Sequence, residues 1–292
     1  MLLTGDPAEF LDLAEAHLAA DPVLTTVVAT VTHRAIVAVR EGRPAPAHPR
    51  WWAVVRDAHG EVAGLAMRTA PFAPYPLFVL PMPAPAAVEL ARAVHERGEH
   101  VGGVNGALPS ARVVAEEAAR LQGATAEVWE HTRLFELGDL VEPAPVPGRL
   151  RAAGPEDLEL CLAWFEAFFD DAAEQAGRAG DGPREDYITN EEMLERFEAG
   201  RIWLWDVDGE AVHMTGFNHP SFGVARVGPV YTPKEHRGHG YASAGVAAVS
   251  RMLRGQGARV CLFTDQANPT SNRVYQGLGY RPVVDMANLR VR

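Results

Sequence analysis

Cysteine is scarce in this chain. Cys161 and Cys261 are the only two among 292 residues, and neither belongs to a CxxC. This argues against a disulfide framework and a zinc site, and implies reduced thiols in a cytosolic protein; no metal is expected. Positive charge is also short, with 27 Lys and Arg against 38 Asp and Glu and a net charge of −11. A broadly basic face for nucleic acid is therefore not expected. No stretch of about 18 apolar residues occurs, so no membrane span is expected. The opening residues, MLLTGDPAEF, have neither a basic n-region nor an apolar h-region, so they do not read as a signal peptide. A cytoplasmic location is the expectation. What is present is ordinary for a soluble globular protein: 47% hydrophobic and 22% charged residues. The length suits two domains at roughly 100–200 residues each, or one large one.

Composition shifts at VEPAPVPGRL, Val141 to Leu150, where three prolines and a glycine read as a linker. The expected boundary lies near Pro147, giving domains 1–147 and 148–292. In the second half, GPEDLELCLAWFEAFFDDAAEQ reads as an amphipathic helix opened by Pro155. AGDGP, Ala179 to Pro183, reads as a loop, and NEEMLERFEAG as a helix with Asn190 as N-cap and Gly200 as its stop. RIWLWDV and AVHMTGF form a hairpin through Asp208-Gly209. GVARVGPVYT, ARVCLFTD and YRPVVDMANLRVR read as strands, with helices from about Tyr241 to Arg254 and over PTSNRVYQGLG.

The first half gives a similar series. Two helical stretches over about Pro7 to Arg40 precede a hairpin in WWAVVRDAHGEVAGLAMR, and AEVWEHTRLFEL reads as a strand pair. The turns HGE at His59 and DGE at Asp208 are offset by 149 residues, and the helix starts at Pro109 and Pro269 by 160. The order suggests an internal duplication. The extra length falls where the second copy has the turn Arg237-Gly238-His239-Gly240.

That turn follows a strand and opens a helix. A helix leaves its first N–H groups without partners and carries partial positive charge there, so it suits an anion. Gly238 and Gly240 remove Cβ atoms from the approach, Arg237 adds charge, and Ala242 keeps the first turn narrow. Phosphate or pyrophosphate is the expected ligand. A glycine pair alone is a weak signal, and a plain turn before a helix remains the competing reading. The pattern is neither GxxxxGK[ST] nor GxGxxG.

With its surroundings, the segment resembles the GNAT superfamily of acyl-CoA-dependent N-acyltransferases. The [RQ]-x-x-G-x-[GA] signature is matched by Arg237, Gly240 and Ala242. NPTSNRVYQGLGYRP resembles a second signature through Asn268, Ser271, Tyr275, Gly279 and Tyr280. The resemblance is strong over about Arg201 to Pro282, weaker over Arg149 to Gly200, and only architectural before that. It implies an α/β (α+β) fold: two tandem GNAT-like domains, each a mixed, mostly antiparallel sheet flanked by helices. The first copy resembles the degenerate partner of tandem GNAT proteins. Pro81, Pro83 and Pro85 stand where its phosphate cradle would lie and offer no N–H, so no cofactor is expected there.

The resemblance further implies acetyl-CoA as donor, bound where the strands ARVGPVYT and ARVCLFTD splay apart. Backbone at Val230, Tyr231 and Thr232 would grip pantetheine, with the Val230 N–H polarising the carbonyl. Backbone from Gly238 through His239, Gly240 and Tyr241 to Ala242 would hold the pyrophosphate. Asn268 and Ser271 would contact the cofactor from the next helix. Tyr275 reads either as core or as the acid that protonates the departing sulfur. GVARVGPVYT has no glutamate to act as base, which leaves His213, His219, Asp265 or water, with His219 carried as the candidate. Asp170 and Asp171 read as a solvated helix end or as an attraction for a cationic amine. The implied partner is a small-molecule amine; a protein amine, a non-catalytic acyl-CoA sensor and a homodimer stay open.

Overall fold

A computed structural model describes residues 1–175 and 188–292; the loop expected at Ala179–Pro183 lies outside the described residues. The chain divides into two compact units, one of Met1–Leu134 with Val283–Arg292 and one of Phe135–Pro282. This division differs from an expected boundary at Pro147. Residues 138–148 hold neither helix nor strand, as their prolines suggest. They nevertheless belong to the second unit, where the Trp205 indole donates to the Pro147 carbonyl at 2.8 Å and Arg251 pairs with Glu142. Phe135 and Leu137, just before them, already lie in that unit's apolar core.

The first ten elements are β1 (Leu2–Thr4), α1 (Pro7–Ala20), α2 (Thr26–Arg40), β2 (Trp51–Arg56), β3 (Val62–Arg68), β4 (Leu77–Val79), α3 (Ala84–Glu96), β5 (Gly103–Ala107), α4 (Ser110–Gln122) and β6 (Ala126–Leu137). The next ten are β7 (Arg149–Ala152), α5 (Leu158–Gln175), α6 (Asn190–Glu198), β8 (Ile202–Val207), β9 (Glu210–Phe217), β10 (Val224–Tyr231), α7 (Tyr241–Gly255), β11 (Arg259–Asp265), α8 (Pro269–Gly277) and β12 (Tyr280–Val291). Among the described residues both series run strand, two helices, three strands, helix, strand, helix, strand.

In the first unit the strand order is β1-β2-β3-β4-β5-β12-β6. β4 and β5 pair in parallel, while β12 pairs antiparallel with β5 from Met286↔Ala107 to Arg290↔Gly103. The last strand of the chain thus completes the sheet of the first unit. The segment expected as a strand pair, 126–137, is the single strand β6. It carries no turn residue, so nothing in it reverses the chain.

In the second unit the order is β6-β11-β10-β9-β8-β7. β10 and β11 are parallel, and β7 to β10 pair antiparallel in sequence. Its sheet is mixed and mostly antiparallel, as expected. Strand side chains alternate between faces, and the apolar clusters divide accordingly. Phe165 of α5 and Met193 and Phe197 of α6 cluster with Ile202, Leu204 and Met214. Val246, Val249 and Leu253 of α7 cluster instead with Val260, Leu262 and Leu278.

Local signals fix the ends. Asp208 and Gly209 both have positive φ, 53° and 91°, which suits the tight β8–β9 turn. α6 is capped by Thr189 and not by the expected Asn190: Thr189 Oγ1 accepts from the Glu192 N–H, and the Glu192 carboxylate accepts from the Thr189 N–H, both at 3.2 Å. The reciprocal pair satisfies two donors where a single asparagine would satisfy one. α5 is anchored by Arg151 on β7, which makes two bonds of 2.7 and 2.8 Å to Asp157 in the turn before the helix.

Candidate functional site

β10 bends where its register against β9 shifts. Val227 faces Phe217 but Val230 faces Thr215, so β10 holds one extra residue. A bulge bends the strand that carries it, and Pro229 within it has no N–H for a ladder. The pairing with β11 covers Val224↔Arg259 to Val227↔Leu262. β10 continues to Tyr231 and β11 to Asp265 beyond this register. The two parallel strands therefore splay after the bulge.

A cavity of about 500 Å³ lies at this splay. Val230, Tyr231 and Thr232 line it from the end of β10, and Asn268, Ser271 and Tyr275 from α8. Arg237, Gly238, Gly240, Tyr241 and Ala242 line it from the glycine turn. Gly238 and Gly240 have φ of +81° and +85°, in the left-handed region where a side chain is strained. A Cβ on Gly240 would also come within 3.0 Å of Val146 Cγ1. The first intrahelical bond of α7 is Ala244 N–H to the Gly240 carbonyl, at 3.0 Å. Ahead of it, among the described residues, no group accepts from the N–H groups of Gly238 through Ser243, and α7 has no side-chain cap. Unpaired donors at the positive end of a helix, next to a gap a Cβ would fill, fit a diphosphate.

Arg237 acts differently from the sequence expectation. Its Nε donates to the Thr232 carbonyl at 2.9 Å, and its Nη2 to the Asp171 carboxylate. Asp171 also accepts from the Tyr231 hydroxyl at 3.1 Å and pairs with Lys234. Burial raises the Asp171 pKa, but hydrogen bonds from Lys234 and Arg237 outweigh it and hold the carboxyl below its ordinary range. Asp171 is therefore an anchor for the turn rather than an attraction for an amine, and Arg237 braces the loop with most of its charge offset. The affinity for an anion falls to the backbone.

Tyr275 has only 7% of its surface exposed, and its ring meets Tyr280 edge-on with centroids 6.0 Å apart. Burial pushes its pKa above the usual phenol value, so the hydroxyl keeps its proton at neutral pH and can donate it. The ring is core and also borders the cavity. Asn268 lines the cavity and caps α8 through its Oδ1, which accepts from the Ser271 N–H at 3.0 Å.

One candidate, His219, lies apart from the others, and of His239 only the backbone was expected at the cofactor. His219 is exposed on the turn after β9, with Nδ1 3.1 Å from the Pro220 carbonyl oxygen, and is not among the lining residues. A polar residue beside a proline follows the turn outward, so the spacing that suggested a base does not bring it to the cavity. The His239 side chain also stays outside, exposed and stacked on Tyr241 at 5.6 Å. Phe168 and Asp171 also line the cavity, and so do His236 and Ser243, which were not among the sequence-based site residues. For Ser243 the signal was available, since it continues the run of free N–H groups.

His213 is fully buried on β9, with Nδ1 2.8 Å from Thr232 Oγ1 and Nε2 2.7 Å from Thr215 Oγ1. Gly245 of α7 makes room for it, because a Cβ there would stand 2.5 Å from the ring. Burial drives its pKa to about 3, opposed weakly by a hydrogen bond with the Tyr231 backbone. Such a ring is neutral and a poor base; it holds Thr232 at the cavity wall. Its pKa is near 6.5 in the unfolded chain and about 3 when folded, so between these values the unfolded state binds more protons. The stabilisation is complete above pH 6.5 and is lost as pH falls toward 3. We expect denaturant unfolding to show a loss of about 2 kcal/mol between pH 7 and pH 5. His17, also lowered by burial, adds in the same direction. His213→Gln should remove most of the slope, and an unchanged slope would contradict the assignment.

The family model for the Acetyltransferase (GNAT) family matches residues 162–280. That span includes the splayed strands, the glycine turn and α8. Residues 162–280 are thus similar to a GNAT acetyltransferase domain. Structural relatives of the GNAT domain and its companion unit extend over most of the chain. A GCN5-related N-acetyltransferase from Sphaerobacter thermophilus is 16% identical with a TM-score of 0.56, covering 99% of this chain and 94% of that one. A Drosophila protein is 13% identical with a TM-score of 0.67, covering 100% and 98%. An acetyltransferase of the GNAT family from Colwellia psychrerythraea is 12% identical with a TM-score of 0.51, covering 87% and 88%. At these identities the likeness is one of fold. No curated protein matches the chain. The GNAT domain supports acyl-CoA-dependent acetyl transfer in general, with acetyl-CoA as the family's usual donor. Among the described residues no helix is long and apolar enough to cross a membrane.

Proposed function

We propose that the GNAT domain binds acetyl-CoA and transfers its acetyl group to the primary amine of a small molecule, by direct attack in a ternary complex. One observation carries this reading. The unpaired N–H groups of Gly238 and of Gly240 to Ser243 border the same cavity as Tyr275 and the splayed end of β10.

Acetyl-CoA supplies an acyl carbon activated as a thioester. The backbone N–H groups from Gly238 to Ser243 hold the diphosphate. The backbone of Val230 to Thr232 grips pantetheine, and Val230 is assigned to polarise the acyl carbonyl. Asn268 and Ser271 contact the donor from the start of α8. As the amine nitrogen bonds to the acyl carbon and the carbon–sulfur bond breaks, Tyr275 gives its proton to sulfur and regains one from the nitrogen side. Asp171 is committed to Arg237 and Lys234, and β10 carries no carboxylate. The acceptor nitrogen must therefore arrive neutral, and its one surplus proton returns to Tyr275 by way of water. Phe168 borders the cavity from α5 and gives the acceptor side an apolar wall.

Thiol release from acetyl-CoA, measured with a panel of small primary amines, tests this. Amine-dependent release that rises with pH through the pKa of the amine is expected. CoA binding without release on any amine would turn the reading toward a sensor, and no CoA binding would remove the cradle assignment.

A further inference from the structure

We infer that the amino-terminal unit carries a separate binding site for a small flat anion, an aromatic ring bearing a carboxylate or a phosphate. An open cleft of about 630 Å³ lies within that unit. Its walls come from the start of β2, the end of β3 and the segments leading into β4 and β5. This is the end of the strands away from Pro81 to Pro85, which follow β4. The cleft is thus not the counterpart of the glycine-turn cavity.

Three guanidiniums, from Arg50, Arg68 and Arg97, line the cleft with one carboxylate, Glu99. Arg68 is only 5% exposed. Its Nε donates to the Tyr75 carbonyl at 3.0 Å, one Nη to Glu99 at 2.8 Å and the other to the His100 carbonyl at 2.9 Å. A guanidinium has five N–H donors, so two have no partner among the described residues. Glu99 is saturated in turn. It accepts from Trp51 Nε1 at 2.8 Å and Arg97 Nε at 2.9 Å as well as from Arg68. Burial opposes its ionisation, but the bonds from Trp51, Arg97 and Arg68 outweigh that and keep it charged. Arg50 makes no hydrogen bond or ion pair among the described residues; its guanidinium rests over the Trp52 ring at 5.7 Å.

A scaffold ion pair needs one cation for its carboxylate. This cleft keeps more guanidiniums than carboxylates in a protein whose net charge is −11, and the surplus ones stand open to a ligand, with Arg97 48% exposed. Guanidiniums recognise planar carboxylates and phosphates through paired N–H groups. The remaining walls suit a flat body. Tyr75 stands at the cleft with its ring stacked on His48, nearly parallel at 12°, and Pro49 and Pro74 add apolar surface. Concave, mostly apolar walls with a few convergent polar groups are the pattern of small-molecule sites.

Calorimetry on the full chain tests the inference, with phenyl phosphate, benzoate and inorganic phosphate as probes, each with and without excess CoA. Saturable one-site binding of phenyl phosphate or benzoate is expected, unaffected by CoA and at least ~10-fold tighter than inorganic phosphate. Arg50→Glu and Tyr75→Ala should each weaken it ~10-fold or more, with the thermal midpoint of the free protein monitored as a check on folding. The inference is overturned if no probe saturates, if inorganic phosphate binds as well as the aromatic probes, if CoA displaces them, or if both variants bind like wild type. None of these readouts depends on acetyl transfer, so the two proposals fail separately.

Discussion

Gly240→Asp is expected to raise the dissociation constant for CoA at least ~100-fold, with the protein still folded. Three effects add. The residue sits at φ +85°, where any Cβ costs on the order of 1 kcal/mol. The new Cβ would press on Val146 Cγ1 at 3.0 Å, and Val146 lies on an irregular segment that can yield by tenths of an ångström. The third effect dominates. A carboxylate about 5 Å from a diphosphate is repelled by roughly 3 kcal/mol per charge pair at an effective dielectric near 20. Gly240→Ala separates the terms, since it carries strain and bulk without charge and should lose only ~10-fold. Calorimetry on both variants reads the difference. If the aspartate variant binds CoA like wild type, the diphosphate does not lie at this turn.

The parts of the site that are local in sequence were legible, and the parts made by distant pairs were not. The strand ending at Tyr231, the two left-handed glycines and the helix after them lie within a few tens of residues, and composition alone orders them. The splay was expected only through the family resemblance, and the break at Gly228 and Pro229 that makes it shows in the register against β9. The bracing role of Arg237 was not legible because its partner, Asp171, comes from a helix 66 residues earlier. Local reading sees an arginine beside two glycines and assigns it to the ligand; only the fold supplies the carboxylate that claims it. His213 is a similar case. Alternation on β9 shows that it faces inward, but not that Gly245 of α7 leaves the hole it fills. The unit boundary follows the same logic. Prolines mark where the chain is irregular, whereas membership of a unit depends on where Phe135 and the end of the chain pack. Strand order is set by pairing, and nothing in the composition of β12 announces that it joins β5.

Tyr275→Phe is expected to lower kcat about 100-fold while CoA affinity changes by less than ~3-fold. The substitution removes one oxygen and keeps the ring, and the ring does the packing: it meets Tyr280 edge-on in the apolar cluster of α7 and β11. Among the described residues the hydroxyl has no hydrogen-bond partner that its loss would strand, so stability should hold. The size of the effect follows from the leaving group. A thiol of ordinary pKa, near 8.5, departs tolerably as the thiolate at neutral pH, so the acid is helpful without being indispensable. That places the loss near the low end of the ~10²–10⁴ range for general acid catalysis. Burial pushes the phenol pKa up, so wild type should keep its proton, and its kcat, well past pH 9. An amine whose own pKa lies below 7 isolates that limb, because its protonation no longer shapes the profile. A variant with kcat within threefold of wild type would leave Tyr275 as packing alone and pass the sulfur's proton to water.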